Sequence, residues 1–489
     1  MNTPNLITRR SFLRQAACAA VGTAGLTNAL FDLRKIAAFS LGNSDVLSGD
    51  YKALVCLFLY GGNDANNMIV PTSTTDYNGY TAARGGIALP LASLLPIIPI
   101  TTDGRTFGLN GNLTGLKSLF DQQKLAILAN VGSLVEPLNG VTDYRLSTKR
   151  KPPQLFSHSD QQSQWQTSVP DVGLGAVTGW GGRMGELAAL RALNASGQVS
   201  VCISLNGNNT FQVGDTVVPY NVSTGGAVGL NNYIYPGTVG ANANDVLRSR
   251  AIDDLIGLSH TNLFEKTFAS TAKRSIDNAA LLKVALNRTD ATQGGTPLST
   301  VFPATGLGNQ LKMIARLIKG RDDLNLRRQI FFVSVGGYDT HTNEVTAHNG
   351  LYAELSGAVS AFYAATVEMA VQNSVTTFTG SDFGRTYQGN GNGSDHGWGS
   401  HHLVVGGVVQ GQNIYGNRGM PDQVLNQTGA PHTNPDDTGQ GRWVPSTSVD
   451  EYAARLALWF GVSQTDIASV LPNIGRFNTN YTDPKLAFI

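Results

Sequence analysis

The segment Tyr51-Lys-Ala-Leu-Val-Cys-Leu-Phe-Leu-Tyr60 is an almost unbroken apolar run that ends in Gly61-Gly62-Asn63-Asp64. A strand with one wet face alternates apolar and polar residues. A run without alternation needs apolar neighbours on both faces, as in a parallel sheet covered by helices. The run therefore restricts the chain to α/β architectures with a covered sheet. A second run, Leu125 to Val131, follows the helix-like stretch Leu113 to Gln122, and together they read as a strand, crossover, strand unit of the parallel type. Gln329 to Val335, Val375 to Thr379 and Leu403 to Val409 read as further strands. An amphipathic helix with Leu351, Leu355, Val359, Phe362 and Ala365 at helical spacing joins the first two of these. Ser448, with Glu451 three residues on and Gly461 at the far end, delimits a last helix.

The expected architecture is a mostly parallel central sheet flanked by helices, one domain spanning 32–489. Residues 169–308 are rich in Gly, Asn and Thr around a helical block, Asp245 to Asn287, and are expected to form an insertion or cap between the second and third strands. With 489 residues, 41% apolar and 14% charged, the chain can bury such a core and falls outside the disordered class. A net charge of +1, with no basic cluster beyond the N-terminus and Lys149 to Lys151, argues against nucleic acid as a partner.

Residues 1–31 carry Thr8-Arg9-Arg10-Ser11-Phe12-Leu13-Arg14 and then the mildly apolar stretch Gln15 to Phe31. This is the pattern of a twin-arginine export signal, which makes the twin-arginine translocase a partner and the expected location periplasmic or secreted. The apolar stretch is too short and too polar for a stable transmembrane span. Removing it leaves Cys56 and Cys202, which match no metal-binding spacing; the sequence leaves open whether they are bridged.

In parallel sheets, ligand-binding residues gather in the loops at the carboxyl ends of strands. Asp64 ends the first strand, Ser157 and His158 follow the second, Asp339 and His341 the third, and Asp382 and Arg385 the fourth, while Asp395 and His396 precede the fifth. Asp339 and His341, two apart, project to one side of an extended segment and suit two ligands of one divalent ion. Asp382 and Asp395-His396 each lie beside glycine, where backbone can approach a ligand closely. Mixed carboxylate and imidazole donors favour zinc, manganese or iron. His401 and His402 point to opposite faces if extended, so at most one is expected to reach the site. Ser157 stands open between a nucleophile and a helix cap, because Ser-His-Ser-Asp is also good N-terminal capping sequence.

Leu54 to Pro71 with its Gly-Gly-Asn-Asp-Ala-Asn-Asn core, Phe156 to Gln162, Gly336 to Glu344, Ser381 to Thr386 and Asp395 to Gly399 resemble a family of twin-arginine-exported bacterial proteins catalogued as domain of unknown function 1501. That family is similar to sulfatases and alkaline phosphatases. The resemblance implies an alkaline-phosphatase-like α/β fold and a one- or two-metal site for hydrolysing a phosphate or sulfate ester of unread identity. It makes Asp64 the first-strand metal ligand and Ser157 the nucleophile. Asp339 with His341, and Asp382 with His396, become metal sets, and Arg385 or His158 would hold the nonbridging oxygens. If metal-bound water attacked instead, Asp395 or His158 would accept its proton. The chain departs from the phosphatase pattern in having Phe383 directly after Asp382, where a histidine is usual, and in the short Asp339 to His341 spacing. These departures, with the large Gly/Asn-rich segment, motivate a second expectation: a catalytically silent envelope protein binding a glycan or protein partner.

Overall fold

The computed structural model describes residues 50–194, 199–227, 229–230, 233–235, 242–422, 425 and 434–489. The twin-arginine segment lies outside the described residues. In chain order the main sheet holds β1 (Lys52–Leu59), β2 (Leu125–Gly132), β3 (Cys202–Ser204), β4 (Tyr220–Ser223), β5 (Gly226–Ala227), β6 (Arg328–Val335), β7 (Val375–Ser381), β8 (Ser400–Gly406), β9 (Asn413–Tyr415) and β10 (Thr447–Ser448). Their spatial order is β9-β2-β8-β7-β1-β6-β3-β4-β5, with β10 also alongside β2. The pairing is parallel except where β8 runs against β7 and β2 and where β5 runs against β4.

The unbroken run of β1 is explained by its two partners and two covered faces. It pairs in parallel with β6 and β7. Ala53, Val55, Leu57 and Leu59 join Phe331 and Val333 in a core under helices α2 (Thr114–Asp121), α4 (Leu263–Asn287), α5 (Gly306–Lys319) and α6 (Glu344–Glu368). Leu54, Cys56 and Phe58 face the other way, with Ile330, Phe332, Phe378, Trp165 of α3 (His158–Thr167) and the buried side of α7 (Val449–Phe460). A short helix, α1 (Thr74–Arg84), packs outside this sheet. In α6, Leu355, Val359, Phe362 and Ala365 are buried as their spacing predicts. Ser448 and Glu451 form the expected reciprocal cap of α7, and Gly461 closes it in the left-handed region.

The order of strands corrects the sequence reading in three places. β2 points the same way as β1, yet β8 and β7 stand between them, so the two are not neighbours. The strand expected at Leu403 to Val409 begins earlier, at Ser400, and is antiparallel to both neighbours. The stretch expected as an insertion between the second and third strands supplies β3, β4 and β5, which extend the sheet beyond β6. At two to four residues each, these strands are too short to show periodicity. Cys56 and Cys202 are both free. β6 lies between their strands, a separation of about two interstrand spacings, roughly 9.5 Å, which exceeds the reach of a disulfide. Among the described residues no helix is long and apolar enough to cross a membrane.

Candidate metal centre

Parallel register sets the site. Leu59 lies level with Val335 on one side and Ser381 on the other, so the loops after β1, β6 and β7 leave the sheet at one edge. Gly61 allows them to interlock: its φ is +114°, and a Cβ there would lie 2.3 Å from the Asp339 backbone nitrogen. Its own N–H donates to Asp382 Oδ2 at 3.2 Å, and its carbonyl accepts from Arg385 Nη1 at 3.0 Å. A small antiparallel hairpin, Arg385–Gly389 against Ser394–His396, places Arg385 opposite His396. His158 comes from the first turn of α3.

These elements bring ligand atoms of His158, Asp339 and His396 within 4.8 Å of one another. His158 Nε2 is 3.4 Å from Asp339 Oδ2, and His396 Nε2 is 3.3 Å from Asp339 Oδ1. His341 borders the group, with Nε2 3.1 Å from Asp339 Oδ1 and 3.0 Å from His396 Nε2. The outer nitrogen of each ring is engaged. His396 Nδ1–H donates to the Phe156 carbonyl at 2.7 Å, His158 Nδ1 meets Asp382 Oδ2 at 2.7 Å, and His341 Nδ1 meets Asp395 Oδ1 at 3.3 Å. A carbonyl only accepts, so the proton of neutral His396 sits on Nδ1 and its Nε2 is a bare lone pair. Asp382 Oδ2 also accepts from Gln162 Nε2 at 2.8 Å, which marks it as an acceptor and puts the His158 proton on Nδ1. With both rings neutral, two imidazole lone pairs thus face one carboxylate.

The electrostatics follow that crowding. The hydrogen bond that His158 donates to Asp382, with the charges of Asp382 and Asp339, raises His158 above its ordinary value despite partial burial. Burial lowers His396, and the charges of His158 and Arg385 lower it further. Burial alone would raise Asp339, but the hydrogen bond and charge of Arg385 hold it below the usual carboxylate range. Asp395 is likewise lowered against its burial, by hydrogen bonds from Asn390 and His341. The Phe383 ring packs on both His158 and His396, at centroid distances of 4.8 and 4.7 Å, and so forms an apolar wall of the site.

Of the sequence-predicted residues, Asp339 and His396 join the group, and His158 joins as a third potential ligand. Asp382 and Asp395 touch the outer nitrogens of the rings. Asp64 stands in a separate buried ion cluster, paired with Arg84, which also binds Glu344 Oε1 at 2.9 Å. Arg385 is fully buried: Nε donates to Ser394 Oγ at 3.0 Å, Nη1 to Asp339 Oδ1 at 3.0 Å, and Nη2 to the Ser394 carbonyl. It braces Asp339 and has no face open to a substrate, which corrects the role expected for it. Ser157 is the residue before α3, but its Oγ takes no backbone N–H; it donates to Asp160 Oδ2 at 2.7 Å and lies 3.3 Å from Ser159 Oγ. His401 and His402 are both buried in β8, where burial pushes them down to about 4 and about 3, and neither belongs to the ligand group.

Sequence reasoning missed Arg84, Glu344 and Ser394. The Ser394 hydroxyl donates to Glu344 Oε2 and so ties the buried cluster to Arg385. No periodicity marks these residues; the available signal is that Ser394 adjoins Asp395 and Glu344 lies three residues after His341.

The family model described as "Protein of unknown function (DUF1501)" matches residues 274–435, which include Asp339, His341, Asp382, Arg385, Asp395 and His396. No curated protein matches the chain. Two solved structures align with it: "Crystal structure of Ps i-CgsB", at 11% identity and a TM-score of 0.30, and "Crystal structure of Ps i-CgsB in complex with k-i-k-neocarrahexaose", at 12% and 0.29. Each alignment covers 88% of this chain and 78% of the other. A likeness of that size carries no argument about fold or function.

Proposed function

We propose that this chain is an exported, alkaline-phosphatase-like hydrolase of phosphate or sulfate esters that uses one transition-metal ion held by His158, Asp339 and His396, with His341 beside them. The observation that carries the reading is the meeting of acceptors: His158 Nε2 is buried without a hydrogen bond and His396 Nε2 is a lone pair, and both face Asp339. Such an arrangement is relieved by a cation. Ligand atoms about 2.0–2.1 Å from a tetrahedral zinc lie about 3.3 Å from each other; His158 Nε2 and His396 Nε2 stand 3.4 and 3.3 Å from opposite oxygens of Asp339, and one atom from each of the three residues falls within 4.8 Å of the others, so the side chains would draw together slightly on an ion. Asp382, Asp395 and the Phe156 carbonyl occupy the outer nitrogens as supporting partners do in metal sites. Phe383, with Asp64 paired to Arg84, leaves few donors for a second ion and favours one.

The ion would supply a positive charge that polarises a phosphoryl or sulfuryl oxygen. Ser157 Oγ is the candidate nucleophile, and Asp160, already accepting its hydrogen at 2.7 Å, is placed to take the proton. Arg385 keeps Asp339 oriented. Replacing Ser157 by Ala should lower hydrolysis of aryl phosphate or aryl sulfate by orders of magnitude and leave metal content unchanged. Full activity in a stable Ser157→Ala protein would remove the serine from the mechanism. Elemental analysis showing no zinc, manganese or iron in wild type, with metal absent after reconstitution, would remove the metal reading itself. The second reading, a silent envelope protein that binds a glycan or partner, draws support from the complete burial of Arg385 and from Ser157 lying outside the ligand group.

A further inference from the structure

We infer that Arg442 is the residue that grips the substrate's nonbridging oxygens, so that the site selects oxyanionic esters; this rests on the hydrolase reading above. Two cations close to the ligand group are already committed. Arg84 and Arg385 are wholly buried and spend their guanidinium edges on Asp64, Glu344, Asp339 and Ser394. Arg442 is different. Its Nε donates to the backbone carbonyl of His396 at 2.9 Å, and its guanidinium lies over the Phe156 ring, 5.3 Å from the centroid. Those are the two residues whose own contact, Phe156 carbonyl to His396 Nδ1, fixes the His396 ring.

Among the described residues no carboxylate pairs with Arg442, and its Nη1 and Nη2 carry no hydrogen bond. Its charge is felt at the site, since it helps hold Asp395 below its ordinary value. The side chain is therefore fixed at Nε and on one ring face, while its outer edge, two parallel N–H groups, stays uncommitted. That edge matches two oxygens of a phosphate or sulfate group. A guanidinium held in place this way loses little freedom on binding.

The test uses inorganic phosphate and inorganic sulfate as probes in calorimetric titrations of the full-length protein, with bound zinc measured in parallel. Arg442→Gln keeps a donor for the His396 carbonyl and removes the charge and the fork. It should weaken anion binding about 10- to 100-fold with zinc stoichiometry unchanged. Arg442→Lys should recover only part of the loss, because an ammonium cannot make the paired contact. Wild-type binding that is unaltered in Arg442→Gln would overturn the inference, as would the absence of saturable binding of either anion to wild type. Loss of zinc from wild type, with anion binding still dependent on Arg442, would instead overturn the hydrolase reading and leave the anion site standing.

Discussion

Two charged clusters grow from the same loop ends and are closed in opposite ways. The buried one, Asp64, Arg84 and Glu344, has side chains with no exposure, and its cation sits between its carboxyl groups. The other, His158, Asp339, His341 and His396, keeps between about a quarter and a half of each side chain exposed and turns its acceptors toward one another. The first has its counter-charge built into the chain. The second has Arg385 against Asp339 but leaves His158 Nε2 buried without a hydrogen bond. A chain that only needed to stabilise these loops would have treated both clusters alike. The difference marks the buried set as architectural, and it is on the exposed set that the proposed metal reading rests.

The largest expected effect breaks the buried side of that comparison. Arg84→Ala leaves the Asp64 carboxylate uncompensated, and stability should fall by about 3–5 kcal/mol, read from urea unfolding. A loss under about 1 kcal/mol would show that the cluster does not hold the loops.

The next effect is a pH dependence confined to the same cluster. Burial, and then the charge of Asp64, push Glu344 from 4.5 up to about 8, so it keeps its proton at neutral pH. A carboxyl whose value is raised on folding contributes stability that is fully present below its unfolded value and lost as pH rises through its folded one. The contribution of Glu344 to stability should therefore fade between about pH 4.5 and 8. Glu344→Gln lacks that group, so its stability relative to wild type should rise over this interval, by on the order of a few kcal/mol. Urea midpoints of both proteins at pH 5 and pH 8.5 check this; parallel curves would contradict it.

The smallest effect sharpens the exposed side. If Asp382 acts through His158 and is not itself a ligand, Asp382→Asn should weaken zinc affinity only about 10- to 100-fold, with one ion still bound at saturation. Complete loss of zinc would make Asp382 a direct ligand.

What the sequence disclosed about this pair of clusters was uneven for physical reasons. Asp339, His341 and His396 were legible because they stand beside glycines at the ends of strongly apolar strands, and the core face of α6 was legible through its spacing. Arg84 was not, because it ends a polar helix with no periodic face, and its partners lie 20 and 260 positions away. Arg385 is legible as a residue of the loop, but its burial is not, so the resemblance offers it, or His158, to the substrate where the structure sets it against Asp339. The central position of β8 was hidden by His401 and His402, polar residues that shorten the apparent apolar run yet stay buried and uncharged. A single Asx or His inside a strand does not announce whether the sheet will enclose it.

The position of β1 also has a consequence during synthesis. It is made before either neighbour, and both edges must wait: Tyr51 meets Gln329, 278 positions later, and Asn63 meets Ser381, 318 positions later. At about 5–20 residues per second, the nascent chain carries an unpaired apolar strand for roughly 15 to 60 seconds. Such an edge is a template for pairing with other chains until β6 and β7 arrive to cover it.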